Sequence, residues 1–411
     1  MSTGTSTETS TARNMHTNAP HTSATAEPAG STQAKDHNES RDHSEPYNNN
    51  APATATDVDA TLAHSRIVSE KIQAAIDVDA SQFRVLTGAR PTGNLHIGHY
   101  FGALRNWVDL QKRGVDTWLL IADYQVITDR DSVGPMRERV YSLLTDYLAV
   151  GMDPEATTIF AHSQVPELNE LMLPFLSLVS DAELRRNPTV KAELEATRGR
   201  PMSGLLLTYP VHQSADILFC KANVVPVGKD QLPHLEQARV IADRFEKRYG
   251  HPKGAGRVFP RPQALLSEAE NVLGLDGQKM SKSRGNTIEL GMSADETAKR
   301  VKKAVTDSER FITWDPVGRP EVANLLLIAA LASGRSPESI ADEIGSGGGG
   351  ALKAVVTEAI NEHLAPIRER RTELVADPSF LESVLARGIE RAREQAGQTL
   401  SEVHAALGMS Y

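Results

Sequence analysis

Val85-Leu-Thr-Gly-Ala-Arg-Pro-Thr-Gly-Asn-Leu-His-Ile-Gly-His-Tyr100 decides how the rest of the chain is read. Phe83, Val85 and Leu86 predict a buried strand, and Gly88, Pro91 and Gly93 a tight turn. Ile97, Phe101, Leu104 and Val108 then recur at helical spacing. The unit is strand, loop, helix. A helix start presents free backbone N–H groups and the positive end of its dipole, so an anion such as phosphate is its natural guest. His96 and His99, in the first turn, lean towards that guest.

Working outward, a helix is expected from Ile97 to Lys112, and Thr117-Trp-Leu-Leu-Ile-Ala122 reads as a second buried strand. Met136 to Val150 is helical by period, Thr157 to Ala161 is a third strand, and Leu168 to Val179 a further helix. Leu62 to Ala80 predicts a helix ahead of the core, with Ile67, Val68, Ile72 and Ile76 on its apolar side. Alternation of this kind implies a Rossmann-like, doubly wound parallel α/β sheet, with ligands at the carboxyl ends of its strands. The loop after the first strand lies there, and so does Asp123-Tyr124-Gln125 after the second.

A later block, Leu205 to Phe219, places Asp216 on an apolar helix with Tyr209 and Gln213 on the same side. A carboxylate so placed needs a partner, and an ordinary ion pair or cap would serve. Val224 to Val227 predicts a strand ending in Gly228, with Asp230 and Gln231 suited to hydroxyl or amino groups, or simply to turn chemistry. Leu273 to Asn286 breaks the pattern: Asp276-Gly277 makes a turn, and Lys279, Lys282 and Arg284 lie on a mobile cationic loop.

Composition bounds the function. The chain has 411 residues, 40% hydrophobic and 24% charged, enough for two or more domains and a sizeable core. Before Leu62 there is no Leu, Ile, Phe or Trp, so residues 1–65 are expected as a disordered tail with neither signal-peptide nor transit-peptide character. No apolar run approaches a membrane span, and a cytoplasmic location is expected. The net charge of −9 argues against binding nucleic acid over the whole surface, and neither DNA nor membrane is an expected partner. Cys220, the one cysteine, sits among Ile217, Leu218 and Phe219 and excludes an internal disulfide. His234 and Glu236 have no metal-ligand spacing, and no protein metal site is expected.

Thr92-Gly-Asn-Leu-His-Ile-Gly-His99 and Lys279-Met-Ser-Lys-Ser283, in that order across an α/β segment, resemble the two signatures of class I aminoacyl-tRNA synthetases. Either string alone is a weak signal. Within that class the chain resembles the tryptophanyl-tRNA synthetases of bacterial type, over roughly Phe83 to Gly408. The likeness runs through Gly102 to Arg105, Tyr209-Pro210, Ala215 to Leu218, Val225 to Gly228, Asp230-Gln231 and Ala304 to Glu309.

The resemblance implies an ATP-dependent ligase that joins L-tryptophan to tRNA(Trp) through an aminoacyl adenylate, as a homodimer, with Mg²⁺ carried mostly by the substrate. It implies catalytic roles for His96, His99, Lys279 and Lys282. ATP would also meet Arg90, Pro91, Thr92, Gly98, Gly228, Lys229, Asp230, Val272, Met280, Ser281 and Ser283. Asp216 would accept the indole N–H, Tyr209 and Gln231 would hold the α-amino group, and Leu86, Gln125 and Gln213 would line the same pocket. Three positions depart from the usual bacterial pattern: Arg90 for glutamine, Gln125 for histidine and Gln213 for methionine. They resemble a divergent, auxiliary subclass, and Arg90 has two readings, a substrate anion or a salt bridge to an acid such as Asp123.

The implied architecture is a catalytic domain over 66–292 and a helical tRNA-binding domain over 293–411. In the latter, Ser293-Ala-Asp-Glu296 predicts a capping box, Ser336-Pro337 a helix start, Gly345 to Gly350 a flexible connector, and Ser379 to Glu382 the cap of a final helix. Arg368, Arg370, Arg371, Arg387, Arg391 and Arg393 form either a basic face for tRNA or a solvated surface. Other readings are a tyrosyl-tRNA synthetase, although Leu86 cannot make the extra hydroxyl contact expected there; a small nucleotidyltransferase, which would lack the lysine loop; and a silent synthetase relative acting as a binding protein.

Overall fold

The structure is a computed structural model that describes residues 55–128, 134–196, 201–250, 256–266 and 272–411. The expected disordered tail lies outside these residues except for its last part, which is helical. Helix α1 (Ala55–Val78) begins the described chain, with Ile72 and Ile76 buried and Ile67 exposed.

Strands β1 (Arg84–Ala89), β2 (Asp116–Ile121) and β3 (Thr157–Ala161) follow, separated by helices α2 (Ile97–His99), α3 (Arg105–Lys112) and α4 (Met136–Ala149). Helices α5 (Glu167–Leu176), α6 (Asp181–Arg186), α7 (Pro188–Ala196) and α8 (Gly204–Phe219) precede β4 (Val224–Val227), and α9 (Leu232–Tyr249) precedes β5 (Gln263–Leu266). All strand pairs are parallel, in the order β3-β2-β1-β4-β5. β3 is buried throughout and β2 nearly so, as expected of strands covered by helices on both faces. The chain runs outward from β1 to β3 on one side and resumes on the other with β4, so the crevice at their carboxyl ends opens beside β1.

The expected helix from Ile97 to Lys112 is not uniform. Between α2 and α3 the backbone widens into a π-turn, Tyr100–Leu104, of the kind that gathers at functional sites.

The last third is helical: α10 (Ala294–Lys302), α11 (Pro320–Ser333), α12 (Pro337–Ile344), α13 (Gly348–Ala376) and α14 (Pro378–Leu407). Ser293 and Glu296 form the expected capping box, and Ser336 caps α12. Two expectations are corrected. Only Gly345–Gly347 forms a short turn, while Gly348, Gly349 and Gly350 start a 29-residue helix. Their poor helix propensity is overridden by packing, since a Cβ at Gly349 would stand 2.9 Å from Thr306 Oγ1. The final helix is capped by Asp377, not Ser379: the Asp377 carboxylate accepts from the Phe380 N–H, and Pro378 occupies the first helical position.

Helix α14 returns to the sheet. At Gly388 a Cβ would lie 1.8 Å from the Ile159 carbonyl oxygen, so helix and β3 touch backbone to backbone. One hydrophobic cluster runs from Trp107, Leu119, Ile121 and Tyr147 to Leu325, Leu352 and Leu364, and one compact unit contains all the described residues. The expected boundary at 292/293 therefore marks a change of secondary structure within a continuous core.

Candidate active site

The two signature stretches meet. Gly93 has φ +134°, a conformation that favours glycine, and a Cβ there would stand 2.7 Å from Lys282 Nζ. The Ile97 N–H donates to Ile288 O and the Leu290 N–H to Leu95 O, both at 2.9 Å, so the chain after the lysine loop is stitched to the histidine stretch. At Gly98 a Cβ would lie 3.0 Å from His96 Nδ1 and 3.2 Å from Met280 Sδ, so a larger residue would have to push both side chains aside.

His96 and His99 stack with ring centroids 3.6 Å apart, and His99 Nδ1 accepts from the His96 backbone N–H at 3.2 Å. Burial, reinforced by His99 and Lys282, pushes His96 down to about 3. His99 is exposed on the crevice side, yet crowding by the surrounding chain and the Lys282 charge push it down to about 4. Both imidazoles are therefore neutral near pH 7. They can donate and accept hydrogen bonds, while positive charge comes from Lys282.

The lysine loop is braced from within. Asn286, buried, accepts from the Ser281 N–H at 2.8 Å and donates to Asp276 Oδ1 at 2.7 Å and to Lys279 O at 3.2 Å. Met280 is anchored in the core, whereas Lys279 and Lys282 are exposed. A buried anchor between two exposed cations holds the charges out towards the crevice. Sequence reasoning quoted Asn286 only as the end of a string, although an Asn within reach of an Asp-Gly turn was a usable signal.

A family profile described as tRNA synthetases class I (W and Y) matches residues 79–365, a span that holds both signatures. The chain belongs to this family. It is 42% identical over 341 residues to a tryptophan–tRNA ligase of Streptococcus pneumoniae serotype 4, covering 80% of this chain and 98% of that protein. The tryptophanyl-tRNA synthetase of Campylobacter jejuni, solved with ADP and tryptophan, is similar at 32% identity and TM-score 0.68, covering 79% of this chain and all of that one. The tyrosyl-tRNA synthetase of Archaeoglobus fulgidus, at 22% identity and TM-score 0.56, shares the fold.

The residues expected around the amino acid gather on α8 and the strand ends beside it. Asp216 is fully enclosed, and burial, reinforced by Asp123, holds its carboxyl well above the usual range. His162 follows the end of β3, and its Nε2 lies 3.0 Å from Asp216 Oδ1, at an angle that does not make a hydrogen bond. His212 stacks on His162 at 4.1 Å, and Tyr124 packs against both rings. Sequence reasoning missed His162 and His212. The available signal was a histidine at the carboxyl end of a buried strand.

Tyr209 is buried, with its hydroxyl 3.4 Å from His234 Nε2; burial raises its pKa, and the Arg90 charge bears on it in the opposite direction. Arg90 is thus close to Tyr209, while Asp123 accepts from the Tyr124 and Ser163 N–H groups and from the Ser163 hydroxyl. Leu86 is buried in β1; Gln125 and Gln213 are half-buried, and neither makes a side-chain hydrogen bond among the described residues. Gly228, Lys229 and Asp230 stand exposed at the end of β4, and Gln231 donates to Asp230 Oδ2 at 2.9 Å. Pro91 and Thr92 lie in the turn before Gly93, where the Thr92 N–H donates to Arg90 O at 2.8 Å, and Val272 packs half-buried against the core beside the lysine loop.

Each of the six arginines has a polar partner. Arg371 pairs with buried Asp146 at 2.8 Å, Arg370 donates to Ala149 O, and Arg368 donates to Asn361 and Thr297. Arg387, Arg391 and Arg393 pair with Glu155, Asp116 and Glu167 across the contact between α14 and the α/β region. Acids answer the three arginines of α14, and a backbone carbonyl answers Arg370.

Proposed function

We propose that this chain activates L-tryptophan with ATP and transfers it to tRNA(Trp). The observation that carries the reading is Lys282 seated at Gly93 beside the neutral His96 and His99 pair, at the carboxyl end of β1. In the first step a carboxylate oxygen of the amino acid attacks the α-phosphorus of ATP, and the bond to pyrophosphate breaks with its electron pair leaving on pyrophosphate. No protein nucleophile is needed, so catalysis rests on placing donors and charge around the phosphoryl oxygens. His96 and His99 serve as neutral donors on one side. Lys279 and Lys282 meet the departing pyrophosphate, lysine being suited to phosphate as a point charge.

The ATP contacts are assigned to Arg90, Pro91, Thr92, Gly98, Gly228, Lys229, Asp230, Val272, Met280, Ser281 and Ser283. Asp216 is assigned to the indole N–H, which is a donor only, with Tyr209, Gln231, Leu86, Gln125 and Gln213 around the amino acid. Tryptophan is favoured over tyrosine by the likeness to tryptophan–tRNA ligases over nearly their whole length and by Leu86, which offers no hydroxyl partner.

Mg²⁺ would come with ATP. Among the described residues the one cluster with metal-ligand character, His162, His212 and Asp216, is buried and nitrogen-rich, and does not suit magnesium. The helical part, 293–411, is assigned to tRNA, and a homodimer is the expected assembly. ATP–pyrophosphate exchange with each amino acid in turn tests the reading: exchange with tryptophan is expected, and exchange with tyrosine alone, or with none, would overturn it.

A further inference from the structure

Two buried histidines stand beside the amino-acid pocket with no task in the scheme above. Both ring nitrogens of His162, Nε2 of His212 and Oδ1 of Asp216 have no hydrogen-bond partner among the described residues. Orphaned polar atoms at this depth cost stability, so their position asks for a reason.

The donor types would suit a transition metal, but the ring geometry does not. An imidazole lone pair lies in the ring plane, and these rings are stacked at 4.1 Å with planes only 30° apart. An ion ~2 Å from both nitrogens would have to lie in both ring planes, and planes so nearly parallel do not meet that close to the rings. A polar support for Asp216 fits better.

We propose that His162 is a positioning residue: its Nε2, 3.0 Å from Asp216 Oδ1, engages that oxygen and leaves the other carboxyl oxygen to accept the indole N–H, while stacked His212 keeps the imidazole in place. This rests on the reading of Asp216 as the indole acceptor. A side chain as enclosed as Asp216 loses specificity if its carboxyl can turn, because either oxygen could then face either neighbour. Burial disfavours charge on both partners, so a single proton is enough to join a carboxyl oxygen to Nε2 once the two groups are aligned. The second oxygen remains an acceptor. Substrate binding then needs only a small rotation of either side chain to bring the 3.0 Å contact into line.

The test compares tryptophan with 3-(3-benzothienyl)alanine, which keeps the ring shape but replaces the N–H by sulfur, as substrate or as inhibitor of ATP–pyrophosphate exchange. His162→Ala is expected to raise KM for tryptophan roughly tenfold. It should leave kcat and KM for ATP nearly unchanged and alter the benzothienyl analogue little. His162→Gln, which can still donate to Asp216, should restore most of the loss, and the apolar His162→Leu should not. Thermal melts establish that each variant folds; should His162→Ala fail to fold, the contrast between His162→Gln and His162→Leu carries the same test. An equal penalty for both ligands, no rescue by Gln, or stoichiometric zinc that survives dialysis and is lost in His212→Ala would overturn the proposal. Failure of the underlying assignment looks different: Asp216→Ala would then affect both ligands alike.

Discussion

At the scale of single residues, the site is defined by where charge is absent as much as by where it stands. His96 and His99 are held down to about 3 and about 4, so both stay neutral across the physiological range. The rate of tryptophan-dependent exchange should therefore show no inflection from these histidines between roughly pH 6 and 8, and should fall only as pH drops towards ~4. A pH–rate profile with an inflection near 6.5 that disappears in His99→Asn would refute this. Lys282 is the opposite case, an exposed cation placed by Gly93. Lys282→Ala should lower kcat for exchange about a hundredfold, the cost of losing one preorganised charge partner, with KM for tryptophan little changed. Single-turnover adenylate formation followed in a quenched-flow assay measures it directly.

At the scale of elements, the informative contacts join the helical third to the loop after β1. Asp146 on α4 receives Arg371 of α13 at 2.8 Å and the Leu95 N–H at 3.2 Å, so one buried carboxylate ties the last third of the chain to the residue before His96. Burial pushes the Asp146 carboxyl up and Arg371 draws it back. Arg371→Ala should destabilise the protein by roughly 3 kcal/mol, because it leaves that carboxyl enclosed without its ion partner. It should also slow exchange in the absence of tRNA. Loss confined to the tRNA step, with exchange and urea unfolding unchanged, would return Arg371 to an RNA-facing role. Helix α14 offers a second case. Gly388→Ala would drive a methyl into the β3 backbone and should cost about 3 kcal/mol, seen as a lowered denaturant midpoint, since backbone cannot move aside as a flexible side chain can.

At the scale of the whole molecule, pH stability follows from the buried titratable groups. Burial is the leading cause in His96, His162, His212, His234, His363 and, although that residue is exposed, His99, all of which are depressed below the ordinary histidine value. An unfolded chain takes up these protons first as pH falls below ~6.5, so the stability they contribute is full above that value and is lost progressively towards ~pH 4. Asp146 and Asp216 act with the opposite sign: their raised values favour the fold at low pH and cost stability as pH rises through them. With six histidines against two aspartates, the urea midpoint should fall between about pH 6.5 and 4.5. It should fall less in His212→Phe, and a midpoint that is flat over that interval would contradict the balance.

The sequence alone determined the parallel α/β fold, the two signatures and most element positions, because a strand buried on both faces and a helix with one apolar stripe leave distinct patterns in a short window of chain. Thr157–Ala161 and the Ser293 capping box were legible for that reason. Other features depend on residues far apart in the chain and have no local pattern. The seat of Lys282 at Gly93, the Asp146–Arg371 tie and the His162–Asp216 contact are of this kind. So is the conversion of a glycine run into the first turn of α13, where packing outweighs propensity. Only the tertiary structure decided that six arginines answer internal or neighbouring partners, because the sequence shows charges but not the acids and carbonyls that folding brings to meet them.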